Sequence, residues 1–262
     1  MSYKTLPATL ILLCLSCKVN TSAKDREKKN QPSPVFAGPE LNPYPFINSI
    51  PLPAGFKRIN SDSNSFAQWL LHVPLKKDKT VHLFNGDIKR NQSAQFAVLD
   101  ITVGNRDLQQ CADAVMRLRA EYLYDKKNFS QISFSDNEKG VYNFDPPYNR
   151  EHFQSYLNKV FGICGSASLS KQLKQSNLAN IKAGDVLIRG GFPGHAVIVV
   201  DVAVNDAGEK IFMLAQSYMP AQDIHLLLNP SAKELSPWYE ADDEYYIETP
   251  EYLFTKNELK QW

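Results

Sequence analysis

Gly184-Asp-Val-Leu-Ile-Arg-Gly-Gly-Phe-Pro-Gly-His-Ala-Val-Ile-Val-Val-Asp-Val-Ala-Val204 is the stretch on which the fold turns. Gly184-Asp185 reads as a turn, Val186 to Ile188 as a short apolar strand, and Arg189 to Gly194 as a loop broken by glycine and proline. Ala196 to Val204 is then a near-continuous β-branched run, the pattern of a strand buried on both faces. Asn205 to Glu209 turns the chain, Lys210 to Tyr218 returns as the next strand, and Ile224 to Leu228 adds another.

Upstream the period changes. Leu108, Cys111, Val115, Leu118 and Tyr122 recur at helical spacing, which predicts a helix over Leu108 to Tyr124 with Asn105 or Asp107 as its N-cap. Phe153, Tyr156, Leu157 and Val160 mark a second, shorter helix, and Ser168 or Ser170 caps a third. Earlier still, Thr80 to Phe84 and Ala94 to Val103 flank Asn85-Gly86-Asp87 and read as an N-terminal β-hairpin extension. Helices followed by an antiparallel meander is the α+β order.

The start of the chain speaks to compartment. Lys4 precedes an apolar run from Leu6 to Leu15, too short for the roughly 20 residues of a membrane span but right for a secretory signal. Small Ser16 before Cys17 suits lipoprotein processing, although Cys14 stands where a leucine is usual. Residues 1–16 are thus expected to be a signal peptide, with Cys17 carrying a lipid that anchors the chain to a bacterial envelope membrane. Ordinary secretory cleavage nearby is the alternative. Residues 17–45, rich in Lys, Asn, Ser and Pro, read as a flexible tether, and 46–262 as a single globular domain. Charge is balanced at 29 basic against 28 acidic residues without a basic cluster, so nucleic acid is not an expected partner.

Cleavage and acylation leave the domain two thiols, Cys111 and Cys164, which an oxidising envelope allows to pair as a disulfide. Cys111 opens onto a second reading. A thiol near a helix N-terminus is biased toward thiolate, His195 on a nearby strand offers a base, and Gln216 on the following strand offers an orienting group. Gln222 is a second candidate for that third position. Each residue also has a plainer role: Cys111 as an inert core thiol, His195 as a strand cap, and Gln216 as a satisfied buried amide. Tyr218, Trp238, Tyr239 and Trp262 either line a glycan or peptide surface or pack in the core. No His, Cys, Asp or Glu spacing suggests a metal, and no glycine-rich loop suggests a phosphate-bearing cofactor.

Three longer segments carry a resemblance: Asp107-Leu-Gln-Gln-Cys-Ala-Asp-Ala-Val-Met-Arg-Leu-Arg-Ala-Glu-Tyr122, Pro193-Gly-His-Ala-Val-Ile-Val-Val-Asp201 and Leu214-Ala-Gln-Ser-Tyr-Met-Pro-Ala-Gln222. With Ser236-Pro-Trp-Tyr239 and Thr249-Pro-Glu251, they resemble domain of unknown function 4846, an envelope family, from about Ile47 to Trp262. More loosely, a helix-borne Cys, a strand opened by Gly-Asp, a His on the next strand and then a polar residue resemble the papain-like NlpC-type cell-wall peptidases. That resemblance implies a papain-like core in which a Cys-bearing helix packs on an antiparallel sheet. It implies amide chemistry on peptidoglycan stem peptides, with Cys111 as nucleophile, His195 as general base and Gln216 as orienter. A binding or scaffold lipoprotein of the same shape is the other expectation. Gln110 before the cysteine and Ala112-Asp113 after it depart from the enzymes' usual Asp and Ser-Gly, and the Cys111 to His195 interval is longer than theirs.

Overall fold

The β-branched run becomes the spine of a sheet. In the computed structural model, which describes residues 41–242 and 244–262, it forms an eleven-residue strand, His195–Asn205, with both faces buried along most of its length. The sheet has nine strands: β1 (Phe56–Arg58), β2 (Gln95–Val98), β5 (Lys174–Gln175), β6 (Val186–Arg189), β7 (His195–Asn205), β8 (Lys210–Gln216), β9 (His225–Leu227), β10 (Trp238–Glu240) and β13 (Leu259–Gln261). Their order is β2-β9-β8-β7-β6-β13-β5, with β1 on β7 and β10 on β8, and each of these pairings is antiparallel. Two hairpins stand apart, β3 (Ser133–Ser135) with β4 (Val141–Asn143) and β11 (Tyr246–Glu248) with β12 (Leu253–Thr255). Among the described residues the α-helices are α1 (Phe66–Leu71), α2 (Cys111–Asp125), α3 (Arg150–Phe161) and α4 (Ser166–Gln172).

Alternation along β7 explains why its residues are apolar on both sides. Ala196, Ile198 and Val200 join Ala112, Val115 and Met116 of α2 and Leu157 of α3 in one core. Val197 and Val199 face the other way, against Phe212, Leu214, Ile247 and Phe254. Full burial of one such side chain contributes about 1.5–3 kcal/mol, and the buried polar residues that β7 does carry are partnered, Asp201 by Arg58 at 2.8 Å and His195 by Gln216. The α+β class expected from the sequence is the class adopted, with the cysteine-bearing helix lying on an antiparallel sheet.

Several local expectations are corrected. Thr80–Phe84 is no strand and does not pair with Ala94–Val103; β2 instead forms the sheet edge against β9. The Asn85-Gly86 turn does form, with Gly86 at φ +88° and the Leu83 N–H bonded to the Asp87 carbonyl at 2.8 Å. The Gln92 side chain takes the place of a partner strand, accepting from the Val81 N–H and donating to the Val81 carbonyl. Neither Ser168 nor Ser170 is the N-cap of α4; Gly165 holds that position and the Ser168 hydroxyl accepts its N–H. Trp238 and Tyr239 are buried core residues and Trp262 packs at the edge of the same core, so of the four aromatics only Tyr218 borders the site described below. Cys111 and Cys164 are both free thiols rather than a disulfide.

Residues 41–45 are held by the fold: the Asn42 N–H bonds the Lys77 carbonyl at 2.7 Å and its side chain donates to the carbonyls of Tyr44 and Lys76. The signal peptide, Cys17 and the remainder of the expected tether lie outside the described residues. Among the described residues no helix is long and apolar enough to cross a membrane.

Candidate functional site

The site is built where α2 begins, β7 begins and β8 ends. α2 starts at Cys111, later than the sequence suggested, because Gln110 and not Asp107 is its N-cap. Gln110 is extended (φ −90°, ψ −161°), and Asp113 Oδ2 reaches back to accept its N–H at 3.0 Å. Asp107 Oδ1 instead accepts from the Ala221 N–H and from Gln110 Nε2, tying the loop before α2 to the segment after β8. Ser217 makes a second tie, its Oγ lying 2.8 Å from the Gln109 carbonyl oxygen and 2.9 Å from that of Gln222. The turn that leads into Cys111 is thereby braced against the residue that follows Gln216.

The thiol is half-buried in the first turn of α2. Burial and then the neighbouring Asp113 carboxyl raise its pKa above the ordinary value, while the backbone N–H groups of Ala112, Ala196 and Cys111 pull the other way. The expected bias toward thiolate is not met, because desolvation outweighs the helix end and its amides. The Ala196 amide is informative in another way: it follows His195 directly, so the sulfur sits at the opening of β7.

His195 is 2 % exposed, boxed by the rings of Tyr218, Tyr252 and Phe254 with centroids at 4.7, 4.8 and 5.8 Å. Burial pushes its pKa down to about 4, against the opposing pull of the Gln216 hydrogen bond. Nε2 lies 2.9 Å from Gln216 Oε1. The proton on this ring is assigned from the partners of Gln216. Gln216 Nε2 donates to Glu251 Oε2 at 2.7 Å and faces His225 Nε2 at 3.4 Å. His225 Nδ1 meets the Asp223 carbonyl at 2.9 Å and must donate to it, which leaves His225 Nε2 an acceptor. With both amide hydrogens directed at acceptors, Gln216 presents its oxygen to His195. His195 therefore carries its proton on Nε2, and Nδ1 keeps its lone pair.

Behind the amide lies a largely buried ion pair. Lys89 Nζ is 2.6 Å from Glu251 Oε2 and 3.5 Å from His225 Nε2, and Asn91 Nδ2 donates to Glu251 Oε1 at 3.1 Å. Burial lowers the Lys89 pKa, while Glu251 opposes that shift. A groove of about 610 Å³ borders this cluster, lined by Ile88, Lys89, Arg90, Tyr218, Met219 and Glu251 among others.

Of the residues singled out in the sequence, His195 and Gln216 are hydrogen-bonded to each other, while Cys111 is brought to the opening of β7 by the Ala196 amide and makes no hydrogen bond to the imidazole. Gln222 does not join them; it is buried in the loop after β8, with its carbonyl facing Ser217. Glu251, Lys89 and His225 were missed as site residues. In the sequence Glu251 stands out only within Thr249-Pro-Glu251, and no spacing ties Lys89 or His225 to the others. Asp185, fully buried, accepts the Lys182 N–H and stands with Gly184 (φ +99°) at the turn into β6. Among the described residues no group of His, Cys, Asp and Glu side chains converges as metal ligands.

No curated protein and no solved structure matches the chain. A match to the family described as domain of unknown function (4846) covers residues 47–146 and 136–261. Those residues contain every member of the cluster, from Lys89 through Cys111, His195 and Gln216 to Glu251, and the chain belongs to that family.

Proposed function

We propose that this protein is a cell-envelope cysteine hydrolase or transferase acting on amide bonds, with a papain-like NlpC-type core and peptidoglycan stem peptides as the substrate class. The observation that carries the reading is the His195 Nε2 contact to a fixed Gln216 oxygen at 2.9 Å. It leaves an unprotonated Nδ1 on a ring that opens the strand whose Ala196 amide faces the Cys111 thiol.

The mechanism starts from a neutral pair, since burial raises the thiol and depresses the imidazole. As the sulfur attacks the substrate carbonyl, His195 Nδ1 takes the thiol proton, and the carbonyl π electrons move to oxygen to give a tetrahedral oxyanion. The Cys111 backbone N–H at the start of α2 is the donor proposed for that oxygen. Gln110 Nε2 is already engaged by Asp107, whereas Gln109, buried with its oxygen on Arg117, has an Nε2 without a partner and is a second candidate donor. Collapse breaks the C–N bond, Nδ1–H protonates the leaving amine, and a thioester remains on Cys111. Water releases the acid, or an acceptor amine re-forms an amide.

The chain is proposed to reach its substrate from a membrane, held by a lipid on Cys17. A Cys17→Ser variant moving from the membrane to the soluble fraction supports that anchor; unchanged partition overturns it.

The neutral pair also favours a second reading, a binding or scaffold lipoprotein that keeps the shape without the chemistry. Digestion of purified peptidoglycan, followed by mass spectrometry of the products, separates the two. The enzyme reading expects cleaved or transferred stem peptides with the unchanged chain, and none with Cys111→Ala or His195→Gln. Identical products from the Cys111→Ala chain would exclude it.

A further inference from the structure

The polar cluster reaches past the three residues above. We propose that Glu251, on the turn between β11 and β12, is a positioning residue that sets the His195 tautomer through the Gln216 amide, with Lys89 as its counter-ion. The inference deepens the papain-like reading of Cys111 and His195 and rests on it.

The argument is one of donors and acceptors. A flipped Gln216 would turn its oxygen toward Glu251 Oε2, now 2.7 Å from Nε2, and toward the lone pair of His225 Nε2. Two acceptors would then face one another in a buried site, which costs the full desolvation of each. The same flip would aim Gln216 N–H groups at His195 Nε2 and drive the imidazole proton to Nδ1. That tautomer has a donor where a proton acceptor is needed, a defect that costs a catalytic triad heavily when its orienting group is changed. Without Glu251, the contact to His225 at 3.4 Å is the remaining restraint on the Gln216 NH₂.

Lys89 fits the same account. A buried Lys–Glu pair is weak as a source of stability, because apolar residues of similar size commonly replace such pairs at little or no cost. Here the pair has a second consequence. The ammonium, with Asn91, keeps residue 251 an acceptor and directs its Oε2 to where the Gln216 amide can donate.

The test compares Lys89→Met/Glu251→Met, which removes the acceptor, with Lys89→Met/Glu251→Gln, which removes the charges but keeps an amide oxygen for Gln216. Both avoid leaving Lys89 buried without its partner. The full chain is labelled with ¹⁵N-histidine, and the His195 signal, assigned with His195→Gln, reports which ring nitrogen bears the proton at pH 7. The unchanged protein and the Met/Gln variant are expected to be Nε2–H. The Met/Met variant is expected to gain an Nδ1–H population and to lose about 10-fold or more in the rate at which a thiol probe labels Cys111.

An Nδ1–H ring in the unchanged protein overturns the proposal before any variant is made. A folded Met/Met variant that stays wholly Nε2–H overturns it as well. The two ideas fail separately. If the tautomer follows residue 251 but no amide chemistry is found, the enzyme reading is lost and only the control of the ring by residue 251 stands. If activity depends on Cys111 and His195 but the tautomer ignores residue 251, the reverse holds.

Discussion

Gln216 Oε1 and His195 Nε2 meet at 2.9 Å, joining the last residue of β8 to the first residue of β7. The antiparallel turn between the two strands makes these ends neighbours, and both side chains are almost wholly buried. An amide–imidazole bond buried to this degree is orientational before it is energetic: each partner restricts where the other's proton is found.

Replacing Gln216 with Met should therefore act on two scales. Leaving the His195 N–H unsatisfied is expected to cost about 1–3 kcal/mol in urea unfolding. Labelling of Cys111 by a thiol probe should fall alongside. A variant of unchanged stability and reactivity would show that the contact orients nothing.

The pH response separates a resting neutral pair from a thiolate–imidazolium pair. Because burial raises the Cys111 thiol, its alkylation by iodoacetamide should still be rising beyond pH 9. A rate that levels off near neutrality would instead mean a preformed thiolate.

Stability should follow the imidazole in the acid range. His195 titrates at about 4 in the folded chain against an ordinary 6.5, so the unfolded chain takes the proton first. Stability is lost as pH falls from 6.5 toward 4, on the order of 3 kcal/mol from this ring. His225, pushed down to about 3, acts with the same sign. Asp185 and Asp201, raised to about 6 chiefly by burial, oppose it, because their neutral forms suit the fold as pH drops. The stability difference between the unchanged chain and His195→Gln isolates the first effect. It should shrink between pH 7 and 4.5, and a flat difference would refute the assignment.

Gly194 illustrates how tightly the approach to His195 is packed. A Cβ there would lie 2.3 Å from Ser166 Oγ, 2.5 Å from the Gly191 carbonyl oxygen and 2.8 Å from that of Arg189. Two of these are backbone, so the loop itself must move. Gly194→Ala is expected to destabilise by about 1–3 kcal/mol, as overpacking does, and to slow Cys111 labelling. Wild-type values for both would place the loop outside the site's support.

Ser217→Ala tests the brace between β8 and the start of α2. Its hydroxyl lies between the carbonyls of Gln109 and Gln222, two residues before Cys111 and five after the serine. Removing it should cost about 1 kcal/mol in unfolding and leave the thiol less consistently placed, read as a drop in labelling rate. Loss of stability with no change in labelling would confine the serine to a structural role.

The meander from Val186 onward was legible because burial on two faces leaves an unambiguous apolar run, and β6, β7 and β8 fall within a residue or two of where the pattern put them. His195 and Gln216 could be brought together from the sequence, since antiparallel pairing is a local matter, whereas Cys111 on its helix was linked to them only by the order of residue types. The hairpin at residues 80–103 misled because Asn85-Gly86 does turn the chain, but side-chain bonds from Gln92 satisfy the backbone that a strand would have paired. The start of α2 was misread for a similar reason: Asp107 is a good cap by type, yet its carboxylate is engaged by Ala221, far along the chain. Glu251 and Lys89 stood beyond reach, being 162 residues apart and linked by tertiary packing alone.

The C-terminal segment has one more consequence. β13 lies between β6 and β5, and the β11–β12 region brings both Glu251 and the ring wall of Tyr252 and Phe254 to His195. A nascent or clipped chain that ends before residue 251 can hold its cysteine and histidine but lacks the parts that orient them. Completion of this cluster therefore depends on the last dozen residues of the chain.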